Sequence, residues 1–112
     1  MIDKITSELD ITNMEAEIFL YLLKNGRSKI QNIASSLNKS LVEIEPVCSD
    51  LVNKGMIIEL SINIYQSLHP RFAAVNAYRL KCLKCGLSPV KNPNIDALGI
   101  ALEKLAISEK SK

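Results

Sequence analysis

Apolar positions recur at helical spacing over most of the chain and alternate only in one short middle stretch. Ile2, Ile5 and Leu9 lie three and four residues apart, which predicts a short first helix ending near Asp10. Thr12-Asn13-Met14-Glu15 has the form of a capping box, in which the threonine hydroxyl accepts from the amide three residues on and the glutamate reaches back to the threonine amide. A helix therefore begins at Asn13, carries Met14, Ile18, Tyr21 and Leu22 on a stripe widened by Phe19, Leu20 and Leu23, and stops at Gly26. Ser28 is the expected cap of a helix of about two turns with Ile30, Ile33, Ala34 and Leu37 on one face and Asn38 as a left-handed exit. Ser40-Leu41-Val42-Glu43 repeats the capping box, so the next helix starts at Leu41, runs to about Lys54 and ends at Gly55. Its inward face is Ile44, Val47, Cys48 and Leu51. Pro46 sits too deep for the first turn and should bend this helix or tighten its start.

The period then changes. Residues 56–60 and 64–68 are short β-prone runs around Ser61-Ile62-Asn63, a small hairpin. Pro70 opens a helix over about 71–85 that Gly86 closes, and residues 87–92 read as a linker. Asn92-Pro93 is a cap and first-turn pair for a last helix whose Ile95, Leu98, Leu102 and Leu105 follow the spacing of a coiled-coil seam. That seam is expected to pair with its copy in a second chain, making a homodimer; the alternative is that the stripe folds back onto its own domain. The tail from Ser108 is expected to fray. Helix, helix, helix, hairpin, helix is the order of a winged helix-turn-helix. The expected fold is α+β and mostly helical: a winged-helix domain with a short two-stranded wing over 1–86, a linker over 87–92, and a C-terminal dimerisation helix with its tail over 93–112.

The stretch LDITNMEAEIFLYLLKNGRSKIQNIASSLNKSLVEIEPVCSDLVNKGMI, residues 9–57, resembles archaeal and bacterial TrmB-like winged-helix regulators, with weaker likeness to the MarR and ArsR groups. Thr12, Glu15, Ala16 and Gly26 match the first core helix of that pattern. Ile33 and Ala34 match the second, and Ser40, Leu51, Lys54, Gly55 and Met56 match the recognition helix and its exit into the wing. The resemblance implies a DNA-binding transcriptional regulator. Asp10 stands where the family usually has Gly, the wing is short, and the sugar-sensing domain of longer members is absent, so effector sensing is not carried over.

Composition narrows the class further. A chain of 112 residues that is 47% hydrophobic and 23% charged suits one soluble domain, and no apolar run approaches the roughly 18 residues of a membrane span. The first ten residues lack the zones of a secretion signal, so a cytoplasmic location is expected. Five aromatics in all, Phe19, Tyr21, Tyr65, Phe72 and Tyr78, are too few for a stacking platform for single strands. Net charge is only +2, yet residues 61–91 hold Arg71, Arg79, Lys81, Lys84 and Lys91 and no acid, a stripe that attracts phosphate or is simply a solvated face.

In a winged helix the third helix enters the major groove of double-stranded DNA. Here it exposes Leu41, Val42, Glu45, Pro46 and Ser49 and also carries Glu43 and Asp50, so it repels phosphates while Glu45 can still accept from cytosine. Backbone contacts fall to Arg27, Lys29, Asn32, Asn38, Lys39 and Ser40, with Arg71 from the later helix. The competing reading is a winged helix used as a protein-interaction module, with Leu41, Val42 and Pro46 meeting a protein partner.

Other chemistry finds little footing. Cys82 and Cys85 form a lone CxxC that either packs or closes a disulfide; a zinc site would have to recruit Cys48 and His69, and a redox motif lacks its βαβ setting, so no metal or cofactor is expected. No Gly-rich phosphate loop or nucleophile triad is present, and Glu43 and Glu45 point to different helix faces, so the chain is not read as an enzyme.

Overall fold

The computed structural model describes residues 2–86 and 92–110, with side chains described over 5–86 and 92–105. Most of the expected linker, with Lys91, lies outside the described residues. Local signals set the helices where the capping chemistry demands. Helix α1 (Ile2–Leu9) gives way at Asp10, and α2 (Asn13–Asn25) starts under a complete capping box: the Thr12 amide donates to Glu15 Oε1 at 2.9 Å and the Glu15 amide to Thr12 Oγ1 at 3.1 Å. Asp10 adopts φ 55°, a left-handed conformation that Gly takes at no steric cost.

Between α2 and α3 (Ile30–Leu37) the sequence reading is corrected. Ser28 does not cap α3; with Lys29 it forms a two-residue strand, β1 (Ser28–Lys29), and its hydroxyl donates to the Gly26 carbonyl at 3.0 Å. Lys29 is the cap residue and makes no side-chain cap bond, because the first orphan amide of α3, that of Ile30, donates instead to the Asn63 carbonyl at 2.8 Å. The hairpin turn thereby replaces the missing cap.

Asn38, at φ 58°, turns the chain out of α3 as expected. Helix α4 (Leu41–Asn53) runs through Pro46 without a break. The proline leaves the Val42 carbonyl without its usual intrahelical donor, but both residues lie on the solvent side of the first two turns, where water satisfies such groups. The start is tight: the Ser40 carbonyl accepts from both the Glu43 amide at 3.2 Å and the Ile44 amide at 3.1 Å. Past Gly55, at φ 74°, β2 (Ile57–Ser61) and β3 (Ile64–Ser67) form the hairpin, with Asn63 at φ 64° in the turn and an irregularity between Glu59 and Ser61. The sheet is antiparallel and three-stranded in the order β1-β3-β2, so the wing has one strand more than expected.

Helix α5 (Pro70–Lys84) follows, and α6 (Pro93–Lys110) begins with the Asn94 amide donating to Asn92 Oδ1 at 2.9 Å. The stripe on α6 does not form an outer seam. Ile95, Leu98 and Leu102 are at most 2% exposed within the same core as Ile5, Leu9, Ile18, Phe19 and Leu22, and Leu105 packs against that core. Helix α6 lies chiefly along α5, with further contacts to α2 and α1. The apolar area of these leucines is thus already removed from water by their own chain, which is the stabilisation a second chain was expected to supply. Among the described residues no helix is long and apolar enough to cross a membrane.

Candidate nucleic-acid interface

The residues expected to meet a nucleic acid lie on β1, α3, α4 and the segments beside them, apart from Arg71 of α5. Arg27, Lys29, Asn32, Lys39, Ser40, Leu41, Val42, Glu45 and Ser49 are all exposed, contributed by the approach to α3, α3 itself, the turn and the first half of α4. The turn is rigid: the Lys39 amide donates to the Ala34 carbonyl at 2.9 Å and the Asn38 amide to the Ser35 carbonyl at 3.2 Å. Beside it lies a shallow depression of about 440 Å³ lined by Gln31, Ala34, Ser35, Asn38, Lys39 and Leu41. Gln31 and Ser35 were missed by the sequence reading, although their i, i+4 spacing on the polar side of α3 points to one outward row.

The N-terminus of α4 is held by its own side chains. Glu43 Oε2 accepts from the Ser40 amide at 2.9 Å and from the Ser40 hydroxyl at 3.2 Å. The Ser40 amide, then its hydroxyl, holds the Glu43 carboxyl below the usual carboxylate range, with a smaller contribution from Lys39. Glu43 is therefore an ionised cap rather than a free base reader. Val42, 83% exposed, and Leu41, 44% exposed, stand on the outer side of this end.

Arg71 is not brought to this group. Its Nε sits 3.0 Å from Glu103 of α6, and His69 Nε2 lies 3.4 Å from the same carboxylate, while the Arg71 amide donates to His69 Nδ1. The basic stripe of 61–91 is likewise dispersed: the Lys81 ammonium donates at 3.4 Å to the carbonyls of Ser7 and Glu8 at the end of α1, and only Arg79 and Lys84 of α5 face solvent beside Arg71. Cys48, Cys82 and Cys85 are free thiols, the first two buried and Cys85 exposed. Burial, then the charge of Glu59, pushes the Cys48 thiol up to about 11. Among the described residues no cluster of three or more His, Cys, Asp or Glu side chains could hold a metal ion.

A second feature missed from sequence supports the whole turn. The Lys54 ammonium donates to both oxygens of Glu15, at 2.9 and 2.7 Å, across 39 residues of chain. Thr12, Glu15, Lys54 and Gly55 thus belong to one structural unit: the cap of α2, clamped to the exit of α4. Asn76 of α5 completes it, its side-chain Nδ2 donating to the Gly55 carbonyl at 2.8 Å. A family model described as the sugar-specific transcriptional regulator TrmB matches residues 6–77. The chain belongs to the TrmB family.

That match runs from α1 into α5, so it includes the α3–α4 pair, the wing and the Glu15–Lys54 clamp, and it identifies the architecture as a winged helix. The family is one of transcriptional regulators rather than enzymes. No curated protein and no solved structure is similar enough to this TrmB-family chain to match it.

Proposed function

We propose that this TrmB-family chain is the DNA-binding domain of a cytoplasmic transcriptional regulator, approaching duplex DNA with the corner formed by α3 and the start of α4. The observation that carries this reading is the family match across an exposed, capped α4 N-terminus flanked by Arg27, Lys29, Asn32, Lys39 and Ser40. Backbone contacts come from those five residues, and Leu41, Val42, Glu45 and Ser49 meet base edges: apolar groups suit thymine methyls and Glu45 suits a cytosine amine. Three cations on this corner supply few phosphate contacts, so non-specific affinity is weak and specificity rests on the bases. The regulator acts as a homodimer. Because Ile95, Leu98 and Leu102 are buried in their own core, its contact falls to the exposed outer sides of α5 and α6, where Phe72 and Ile100 are exposed.

The test is anisotropy of labelled duplex DNA at several salt concentrations. Three phosphate contacts give a log–log slope of about −3, and Lys29→Gln with Lys39→Gln reduces its magnitude by about 2. Binding absent at low salt, or a slope unchanged in the double variant, overturns the reading. A second reading, a protein-interaction module, is favoured by one observation: no lysine or arginine other than Lys54 occurs between residues 40 and 70, and Lys54 is held by Glu15.

A further inference from the structure

Strand β2 lies at the outside of the sheet, with β3 as its single neighbour, and four of its five residues are exposed. Such an edge presents a row of backbone donors and acceptors. Proteins usually guard it with lysine, proline or an inward-pointing charge. This edge has no lysine or proline; its single charge is Glu59, and the ladder is irregular between Glu59 and Ser61. It carries Ile58 at 37% exposure and Leu60 at 42%, and leads to Ile62, 87% exposed at the turn.

Its two faces differ. Ile58 pairs across the ladder with exposed Gln66 on the face away from the core, whereas Glu59 pairs with buried Tyr65 on the face toward α4. Glu59 accepts from the Asn63 amide at 3.3 Å, and both Glu59 and Glu45 of α4 lie near enough to the Tyr65 phenol to act on it. Burial, and then Glu59, pushes the Tyr65 phenol up to about 12, so it stays protonated and brings no charge of its own. The margin between β2 and α4 is therefore anionic, and between Gly55 and Pro70 there is no lysine or arginine to offset it.

Charge decides among the occupants of this edge. Nucleic acid laid along this edge would bring phosphates toward Glu59. A second copy paired through the same strand would set Glu59 near Glu59, a destabilising like-charge pair. We propose that the free edge of β2 receives, as a fourth strand, an extended segment of another protein in which apolar and cationic residues alternate. With a period of two, the apolar side chains of that segment cover Ile58 and Leu60 while its lysines or arginines reach Glu59. This surface is centred on Ile58, Glu59 and Leu60 of β2, outside the α3–α4 corner, and stands independently of the DNA reading.

The experiment uses the whole chain and a dye-labelled peptide of alternating valine and lysine, with fluorescence anisotropy as readout. Three comparisons are made: a valine–glutamate peptide, the valine–lysine peptide N-methylated along one edge, and protein variants Glu59→Gln and Leu60→Lys, checked for fold by circular dichroism. Saturable binding is expected, about tenfold weaker for each variant, lost with the glutamate peptide, and lost when N-methylation removes the pairing donors. Equal affinity of the N-methylated peptide, or of both variants, overturns the proposal. So does sedimentation showing that the free chain is a dimer dissociated by Leu60→Lys, which would assign the edge to a second copy. Lys29→Gln with Lys39→Gln should weaken DNA binding and leave the peptide unaffected, so failure of one reading is distinguishable from failure of the other.

Discussion

Lys54→Met strands a carboxylate. The side chain of Glu15 is 4% exposed, and Lys54 bonds both of its oxygens while itself only 16% exposed. Met retains the length and most of the packing of the lysine stem, so the change isolates the charge. Removing one partner of a buried pair typically costs 3–5 kcal/mol, because the desolvated charge that remains has lost its compensation; with water near the lysine end, about 3 kcal/mol is the expected loss here. Domains of this size have roughly 5–15 kcal/mol in total, so the variant should fold but with a urea midpoint lower by roughly 1–3 M. The Thr12 amide still donates to Glu15 Oε1, so α2 should keep its start. The second arm of the experiment is Glu15→Gln with Lys54→Met. A glutamine can still accept from Thr12 in the capping box and leaves no charge behind, so the double variant should recover most of the loss. Equilibrium urea unfolding followed by circular dichroism measures both. A single variant less than about 1 kcal/mol below the parent, or a double variant no more stable than the single, would refute the argument that Lys54 serves to compensate Glu15.

Two further outcomes follow from backbone and cap geometry. Asp10→Gly should stabilise the chain by a few tenths to about 1 kcal/mol, since Asp10 holds φ 55° at a cost that Gly does not bear, offset in part by the greater freedom of Gly in the unfolded chain. Asp10→Val at the same place should lower the thermal midpoint, and a scan in which Gly is the less stable of the two contradicts the strain reading. Ser40→Ala should cost about 1 kcal/mol by removing the hydroxyl that accepts from the Glu43 amide, which keeps its 3.2 Å bond to the backbone carbonyl of residue 40. The carboxyl of Glu43 should rise part of the way toward its ordinary 4.5 in an NMR titration, because the Ser40 amide still donates to it. The sign is that of a depressed acid: the stabilisation from ionised Glu43 is present above its unfolded value and disappears as pH falls through the lower folded one, so Glu43→Gln should differ from the parent at neutral pH and converge with it in acid.

What the sequence alone determined is what is encoded within about four residues. Both capping boxes, the left-handed Asn38 exit, the glycine stops and the hairpin are local conformational choices, made by side chains that reach their own backbone, and the 3.6-residue period follows from the same short range. The resemblance to TrmB-like regulators rested on that string of local features, and the family match covers it. Tertiary structure decided whatever depends on a distant partner. Ser28 and Lys29 become a strand only because β3 arrives beside them, Glu15 meets Lys54 only when α2 and α4 pack, and Arg71 pairs with Glu103 only when α5 and α6 lie together. The stripe of Ile95, Leu98, Leu102 and Leu105 is the sharpest case. One periodic pattern serves equally well for a seam between chains and for a face on one's own core, because the hydrophobic effect is non-directional and rewards burial without specifying the surface that provides it. The packing of α5 and α6 against α1 and α2 makes that choice.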